Sequence, residues 1–522
     1  MTDSSFYYIL PLLALLLSIA ISSFFLLKSK FNSKLPPGPP SLPLLGNLLW
    51  LRHSLDNVES ILRDLRTRYG PIVTLRLGSN PSIFISDRAI AHAALVERGS
   101  TFSSRPPPRP ATRFLSGNQH NITSAAYGPL WRLLRRNLTS EILHPSRVRL
   151  YAHGRRWVLG VLLHHLAQQS ETSGVAVAVD SFQFAMFGLL ILMCFGEKLD
   201  EKDIKAIETA NRKLLLHLGK LNIFAFLPRL TKLLFRSRWS TAVELRRKQK
   251  ELYVPLFESR RRHREKDQKR EMTDDDNDER FVYSYVDSLL DIKLPEEGGR
   301  GLSEDEMVAL CSEFLNAGTD TTSTALQWIM AELVRNREMQ ETLAEEVESV
   351  VDDKRAQVEE EDLENMPYLK AVVLEGLRRH PPGHFVLPHA VSEEVEIEGY
   401  VIPKDASINF MVAEMGWDEK VWEEPMEFKP ERFLSGGSAE GVDITGSRAI
   451  KMMPFGVGRR ICPGLGLAML HLEYFVANLV REFRWEAVDG EDVDLSEKLE
   501  FTVVMKNPLR ARLIPRRNTL KV

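Results

Sequence analysis

The stretch PFGVGRRICPG, Pro454 to Gly464, puts a cysteine in a loop of glycine, proline and arginine, where an apolar run would be expected around a core thiol. Cys462 is one of three cysteines in the chain, with Cys194 and Cys311. A thiolate is stable at neutral pH only beside positive charge or a metal. Arg459, Arg460 and the loop amides supply that potential. Gly456, Gly458 and Gly464 allow backbone to approach a large flat ligand closely. A phosphate-binding loop fits less well, because Gly456-Val-Gly458 lacks the third glycine and the preceding strand of that motif.

The chain has 522 residues, 68 basic and 71 acidic, with a net charge of −3. Its apolar content suits a large core, and no charge excess points to nucleic acid. Length alone suggests two or more domains. Three scattered cysteines without a C-x-x-C argue against a disulfide framework or a zinc site and fit a reducing compartment. Phe6 to Leu27 is an uncharged run of 22 residues, long enough to span a bilayer. Asp3 precedes it, and Lys28, Lys30 and Lys34 follow. That favours an anchor with a cytosolic body over a cleaved signal peptide. The sequons at Asn121 and Asn137 are then chance matches.

The prolines of LPPGPPSLPLLGN (Leu35 to Asn47) form a stiff spacer between membrane and body. Val73 to Ser86 reads as a hairpin turning at Gly-Ser-Asn-Pro, and most of the rest reads as helix. His263 to Glu279 is a charge run, expected as a solvated loop. Leu221 to Leu230 is apolar between charged helices: a core segment, or a loop dipping into a membrane surface. Ser303 to Asn336 is the longest helix signal, with Ser303 and Glu306 as a capping box. Within it, AGTDTT (Ala317 to Thr322) places Ala317 and Thr321 on one face, a small residue beside a hydroxyl. Gly318 there invites the helix to open locally. Asp320 suits proton relay.

Phe455-x-x-Gly458-x-Arg460-x-Cys462-x-Gly464 resembles the haem-thiolate loop of the cytochrome P-450 monooxygenases. AGTDTT is similar to that family's oxygen-activation motif, Glu375-Gly-Leu-Arg378 to its E-x-x-R, and Pro430-Glu-Arg432-Phe433 to its PERF segment. The sequence most resembles the plant microsomal A-type branch, and within it the eighty-nine family. The resemblance implies a mainly α fold with a small β portion, preceded by one N-terminal transmembrane helix. The implied domains are an anchor with basic flank (1–34), a proline hinge (35–47) and a catalytic domain (48–522). Cys462 becomes the axial ligand of haem b, whose thiolate donation favours cleavage of the oxygen–oxygen bond. Trp131, Arg135, His389 and Arg460 become propionate partners, Phe455 and Ala317 line the cofactor, and Asp320 with Thr321 delivers protons. Phe314 and the segments Arg105 to Ser124, His384 to Leu387 and Phe501 to Met505 become substrate-pocket positions. Electrons come from NADPH through a separate NADPH-cytochrome P-450 reductase, with cytochrome b5 as a second donor, at the endoplasmic reticulum membrane. Arg135, Arg136 and Arg459 form a candidate docking face for that reductase.

One departure from relatives is MGWDEKVW (Met415 to Trp422), which is expected to lie away from the motif residues and to bear on local loop packing rather than on the chemistry. The substrate implied is small and hydrophobic, with linear tetrapyrrole chlorophyll catabolites as one class. Two rivals remain open: a haem-thiolate isomerase or dehydratase of oxygenated lipids, and a non-catalytic haem sensor or membrane scaffold.

Overall fold

The computed structural model describes residues 35–41, 47, 58–77, 80–225, 228–270, 282–352 and 354–517. The Phe6 to Leu27 segment and its basic flank lie outside the described residues. The chain divides into two compact units: residues up to 106 with 385–411, and 107–384 with 412–522.

The smaller unit is built on a four-stranded sheet. Helix α1 (Val58–Tyr69) buries Leu62 and Leu65 against Val73, Leu75 and Met411. Strands β1 (Ile72–Leu77) and β2 (Asn80–Ile85) pair antiparallel with Ile72 opposite Ile85, as the alternation predicts; the first two turn residues lie outside the described set. Strands β3 (His389–Ala390) and β4 (Ser407–Phe410) complete the order β1-β2-β4-β3, with β4 parallel to β2. The proline stretch is more than a spacer. Thr74 N–H donates to the Pro37 carbonyl at 2.8 Å, and Arg76 N–H donates to Asn47 Oδ1 at 2.7 Å. Its described residues therefore finish the edge of β1, where proline's missing donor costs least.

Helices make the larger unit: α2 (Pro129–Asn137), α3 (Ala152–Ser173), α4 (Ala178–Phe195), α5 (Glu201–His217), α6 (Arg236–Arg270), α7 (Glu304–Arg335), α8 (Pro367–Arg379) and α9 (Leu465–Glu482). Phe483–Ala487, Arg510–Pro515 and Ala176–Val177 form a small antiparallel sheet beside them. Helix α4 is apolar and buried all round, which is the pattern of a core helix. Among the described residues it alone is long and apolar enough to cross a membrane, but it lies inside the protein. The charge run is helical as far as Arg270, because α6 continues through its first half; the remainder lies outside the described residues. The apolar stretch after α5 divides. Leu221 and Phe224 pack with Ala242, whereas Leu230, Leu233 and Leu234 are exposed.

Helix α7 begins at the expected capping box: Ser303 accepts from Glu306 N–H, and Glu306 accepts from Ser303 N–H. It does not open at Gly318, contrary to the expectation. The helix is continuous, and a Cβ at Gly318 would stand 2.7 Å from Leu190 Cδ1 of α4. Glycine there leaves room for the Leu190 methyl groups of α4, which a side chain would force to shift.

Glu375 and Arg378 on α8 are fully buried. Arg378 donates to both Glu375 oxygens at 2.7 Å, and Arg432 approaches the same carboxylate at 3.4 Å. Arg378 also donates to the carbonyl of Gly416 at 2.7 Å. The MGWDEKVW segment therefore does not lie away from the motif residues: its Gly416 carbonyl is a direct acceptor of Arg378.

Candidate active site

The Cys462 loop is closed by its own backbone. Cys462 N–H donates to the Phe455 carbonyl at 2.8 Å, and Gly456 and Gly458 hold φ of 66° and 74°. Both angles lie in the left-handed region where a side chain is strained. Helix α9 starts three residues beyond Cys462, so the sulfur stands at a helix N-terminus. Burial pushes the thiol up from its ordinary value, while the Gly464 N–H and the Arg135 guanidinium pull it down. The loop favours a thiolate once a cation is placed against the sulfur.

Helix α2 separates its arginines by face. Arg132 and Arg136 are exposed, whereas Arg135 turns inward and donates to the Ile461 carbonyl at 2.6 Å. Arg135 therefore leaves the proposed reductase face, and Arg136 and exposed Arg459 remain on it. Arg460 donates to the carbonyls of Ala125 at 2.5 Å and Ile122 at 3.3 Å. Both guanidiniums lie over the Trp131 ring, Arg460 at 4.8 Å and Arg135 at 6.0 Å. Burial, with Arg135 adding to it, pushes Arg460 down to about 10; burial also lowers Arg135.

Two half-buried like charges are thus held side by side. Among the described residues no carboxylate is within ion-pair range of Arg135, and buried Trp131 Nε1 has no acceptor. An orphaned buried donor costs about 1–3 kcal/mol. A group bearing two carboxylates would satisfy the indole and neutralise both guanidiniums. The donor set therefore fits haem: a thiol for the iron and three groups for the propionates.

Ala317 is exposed at the middle of α7, although the helix is buried for long stretches on either side, and Thr321 is half-buried one turn on. Thr321 donates its hydroxyl proton to the Ala317 carbonyl at 2.6 Å, which leaves the Oγ1 lone pairs free to accept. Asp320 points elsewhere. Arg212 of α5 donates to it at 3.2 Å, and burial raises it to about 6 against the pull of Arg212. Alcohol and acid are adjacent in sequence but engage different partners. The segment Phe501 to Met505 meets α7 further along: Thr502 bonds Thr324 at 2.9 Å, and Trp328 donates to the Val503 carbonyl at 2.9 Å.

His389 lies in the smaller unit, buried, with Nδ1–H donated to the Phe102 carbonyl at 2.6 Å. The larger unit thus brings Trp131, Arg135, Phe455, Arg460 and Cys462 together by direct contact, and Ala317 with Thr321. Two contributors were missed in the sequence. Glu313 accepts from the N–H groups of Ile122 and Thr123 at 2.7 and 3.0 Å, bracing the loop that holds Arg460. Arg212 pairs with Asp320 across 108 residues, a spacing that no local pattern signals.

A thiol loop at a helix N-terminus, two inward guanidiniums and a long central helix with an acid–alcohol pair define a haem-thiolate class of site. The chain matches the family model described as cytochrome P450 over residues 36–514. It is 48% identical over 512 residues to Cytochrome P450 89A9 of Arabidopsis thaliana, covering 96% of this chain and 98% of that one. It is 32% identical to Flavonoid 3'-monooxygenase of the same plant, covering 93% and 92% of the two chains. It is 31% identical to Geraniol 8-hydroxylase of Catharanthus roseus, covering 97% and 99%. The protein belongs to the cytochrome P450 family and is a monooxygenase of the plant type, a relative of the eighty-nine group.

Proposed function

We propose that the protein is a membrane-anchored haem monooxygenase that inserts one atom of dioxygen into a hydrophobic organic substrate. The observation that carries this reading is the pairing of Arg135 and Arg460 over Trp131, whose buried Nε1 has no acceptor, immediately beside Cys462. Bound haem supplies oxygen activation, with one oxygen atom entering the substrate and the other leaving as water. Cys462 binds the iron through its sulfur, and the Gly464 N–H and Arg135 stabilise the negative charge there. Trp131, Arg135 and Arg460 would hold the propionates, and Phe455 and Ala317 would contact the ring. Thr321 would accept a hydrogen bond at Oγ1 while its own O–H stays hydrogen-bonded to the Ala317 carbonyl, and Asp320 would be the acid that supplies protons. Asp320 lies near pH 6, so it both holds and releases a proton close to neutrality.

Residues 1–34 form the anchor, 35–47 the hinge and 48–522 the catalytic domain, on the cytosolic side of the endoplasmic reticulum. NADPH-cytochrome P-450 reductase, and cytochrome b5 as a second donor, supply electrons through the basic surface of Arg136 and Arg459. The substrate class is apolar; relatives named for a flavonoid and for geraniol support that breadth, and the eighty-nine likeness favours linear tetrapyrrole chlorophyll catabolites.

The reduced protein with carbon monoxide should give the red-shifted thiolate band, and Cys462→Ser should abolish it. A serine variant that kept the band would overturn the assignment. Product that forms only with reductase and NADPH excludes the isomerase alternative, and a Thr321→Ala variant that binds haem yet loses coupled oxidation excludes the sensor alternative.

A further inference from the structure

A small polar pocket of about 10 Å³, room for about one water molecule, lies between α4, α5 and α7. Gln183, Glu208, Asn211, Arg212, Thr319 and Asp320 line it. Asn211 is 1% exposed and Thr319 is 5% exposed, yet Asn211 Nδ2 and Thr319 Oγ1 have no hydrogen-bond partner. Asn211 Oδ1 is taken by Gln249 Nε2 at 2.6 Å and Tyr253 Oη at 2.8 Å, which fixes the amide and leaves Nδ2 for the pocket. Buried donors of this kind are normally satisfied by ordered water where the space is polar and large enough. Arg212 pairs with Asp320 at 3.2 Å and with Glu500 at 3.7 Å, and its side chain reaches solvent. Glu208 stands one turn before Arg212 on α5, so the two project from one face.

We propose that this pocket is a water-holding proton chamber in which Glu208 takes protons from solvent and passes them through the held water to Asp320. The inference rests on the monooxygenase reading, in which Asp320 is a consumer of protons. The step balances without electrons. Glu208 carboxylate accepts a proton from hydronium, the acid gives it to pocket water, and that water gives one to the Asp320 carboxylate. Burial raises Glu208 to about 7; Arg212 opposes the rise, the carboxylates of Asp180 and Asp320 add to it, and Lys205 opposes it. Asp320 rises to about 6 through burial, with Arg212 opposing and Glu500 adding. The two acids are close enough in strength that neither traps the proton. Arg212, shared between Asp320 and Glu500, keeps Asp320 ionised between deliveries.

The test uses the full-length haem-loaded protein and its Glu208→Gln variant. Infrared difference spectra, wild type minus variant, from about pH 5 to pH 9 should show a protonated carboxyl stretch that fades near pH 7. The fraction of NADPH oxidation coupled to product should fall in Glu208→Gln by up to about a hundredfold, the low end of what a positioned proton-transfer group contributes. A variant with the titrating band and the coupling of the wild type would overturn the proposal. The ferrous carbonyl band of the wild type tests the monooxygenase reading and the Glu208 carboxyl band tests the pocket, so the two fail separately.

Discussion

Arg378 shows how much one side chain holds. Its guanidinium binds both oxygens of Glu375 and donates to the carbonyls of Gly416, Pro425 and Glu427. These acceptors come from three stretches of chain, and Glu375 in turn takes the Lys429 N–H at 2.8 Å. Lysine keeps the charge but has neither the planar fork nor the reach to meet those acceptors. Outright loss of one partner of a buried pair costs about 3–5 kcal/mol, an upper bound for a change that keeps the charge but loses the donors. Arg378→Lys should therefore lower the thermal midpoint and the yield of haem-loaded protein. An unchanged midpoint by calorimetry would mean that the network is not what holds this region. The Glu375–Arg378 pair was visible as a motif. Its partners Gly416 and Pro425 were not, because a carbonyl acceptor carries no side-chain signature.

Helix α7 was legible from its capping box to its last turn, since both cap and periodicity are local. The reason for Gly318 was not, because the atom that requires it belongs to α4. Alanine would add about 1 kcal/mol of helix propensity at that position. The new Cβ would meet buried Leu190 Cδ1 at 2.7 Å, and overpacking of this kind costs about 1–3 kcal/mol. Gly318→Ala should thus be destabilising by about 1 kcal/mol net, and the same change in a Leu190→Ala background should be stabilising. Urea unfolding of the two single variants and the double variant reads the change of sign. If Gly318→Ala has the same effect in both backgrounds, the close approach of α4 and α7 is not the cause. The charge run enters α6 for a related reason: its described side chains Glu265 and Lys266 are exposed, and a solvated face is compatible with helix.

For the molecule as a whole, the proline stretch joins two roles. Removing residues 1–34 should move the protein from the membrane pellet to the soluble fraction with its carbonyl spectrum intact. Removing residues 1–47 also deprives Thr74 N–H and Arg76 N–H of their acceptors, at about 1 kcal/mol each. The longer truncation should melt lower than the shorter one; equal midpoints would show that the stretch is only a tether. Sequence by itself settled the family, the helical class, the thiol loop, the central helix and the identity of the buried ion pair, because each is carried by patterns that repeat or stand together along the chain. Tertiary structure decided which arginine of α2 turns inward, that Glu313 braces the Arg460 loop, that Arg212 guards Asp320, and that Gly318 serves packing. Each of those depends on a contact between distant segments, and such contacts are set by how helices pack rather than by any pattern along the chain.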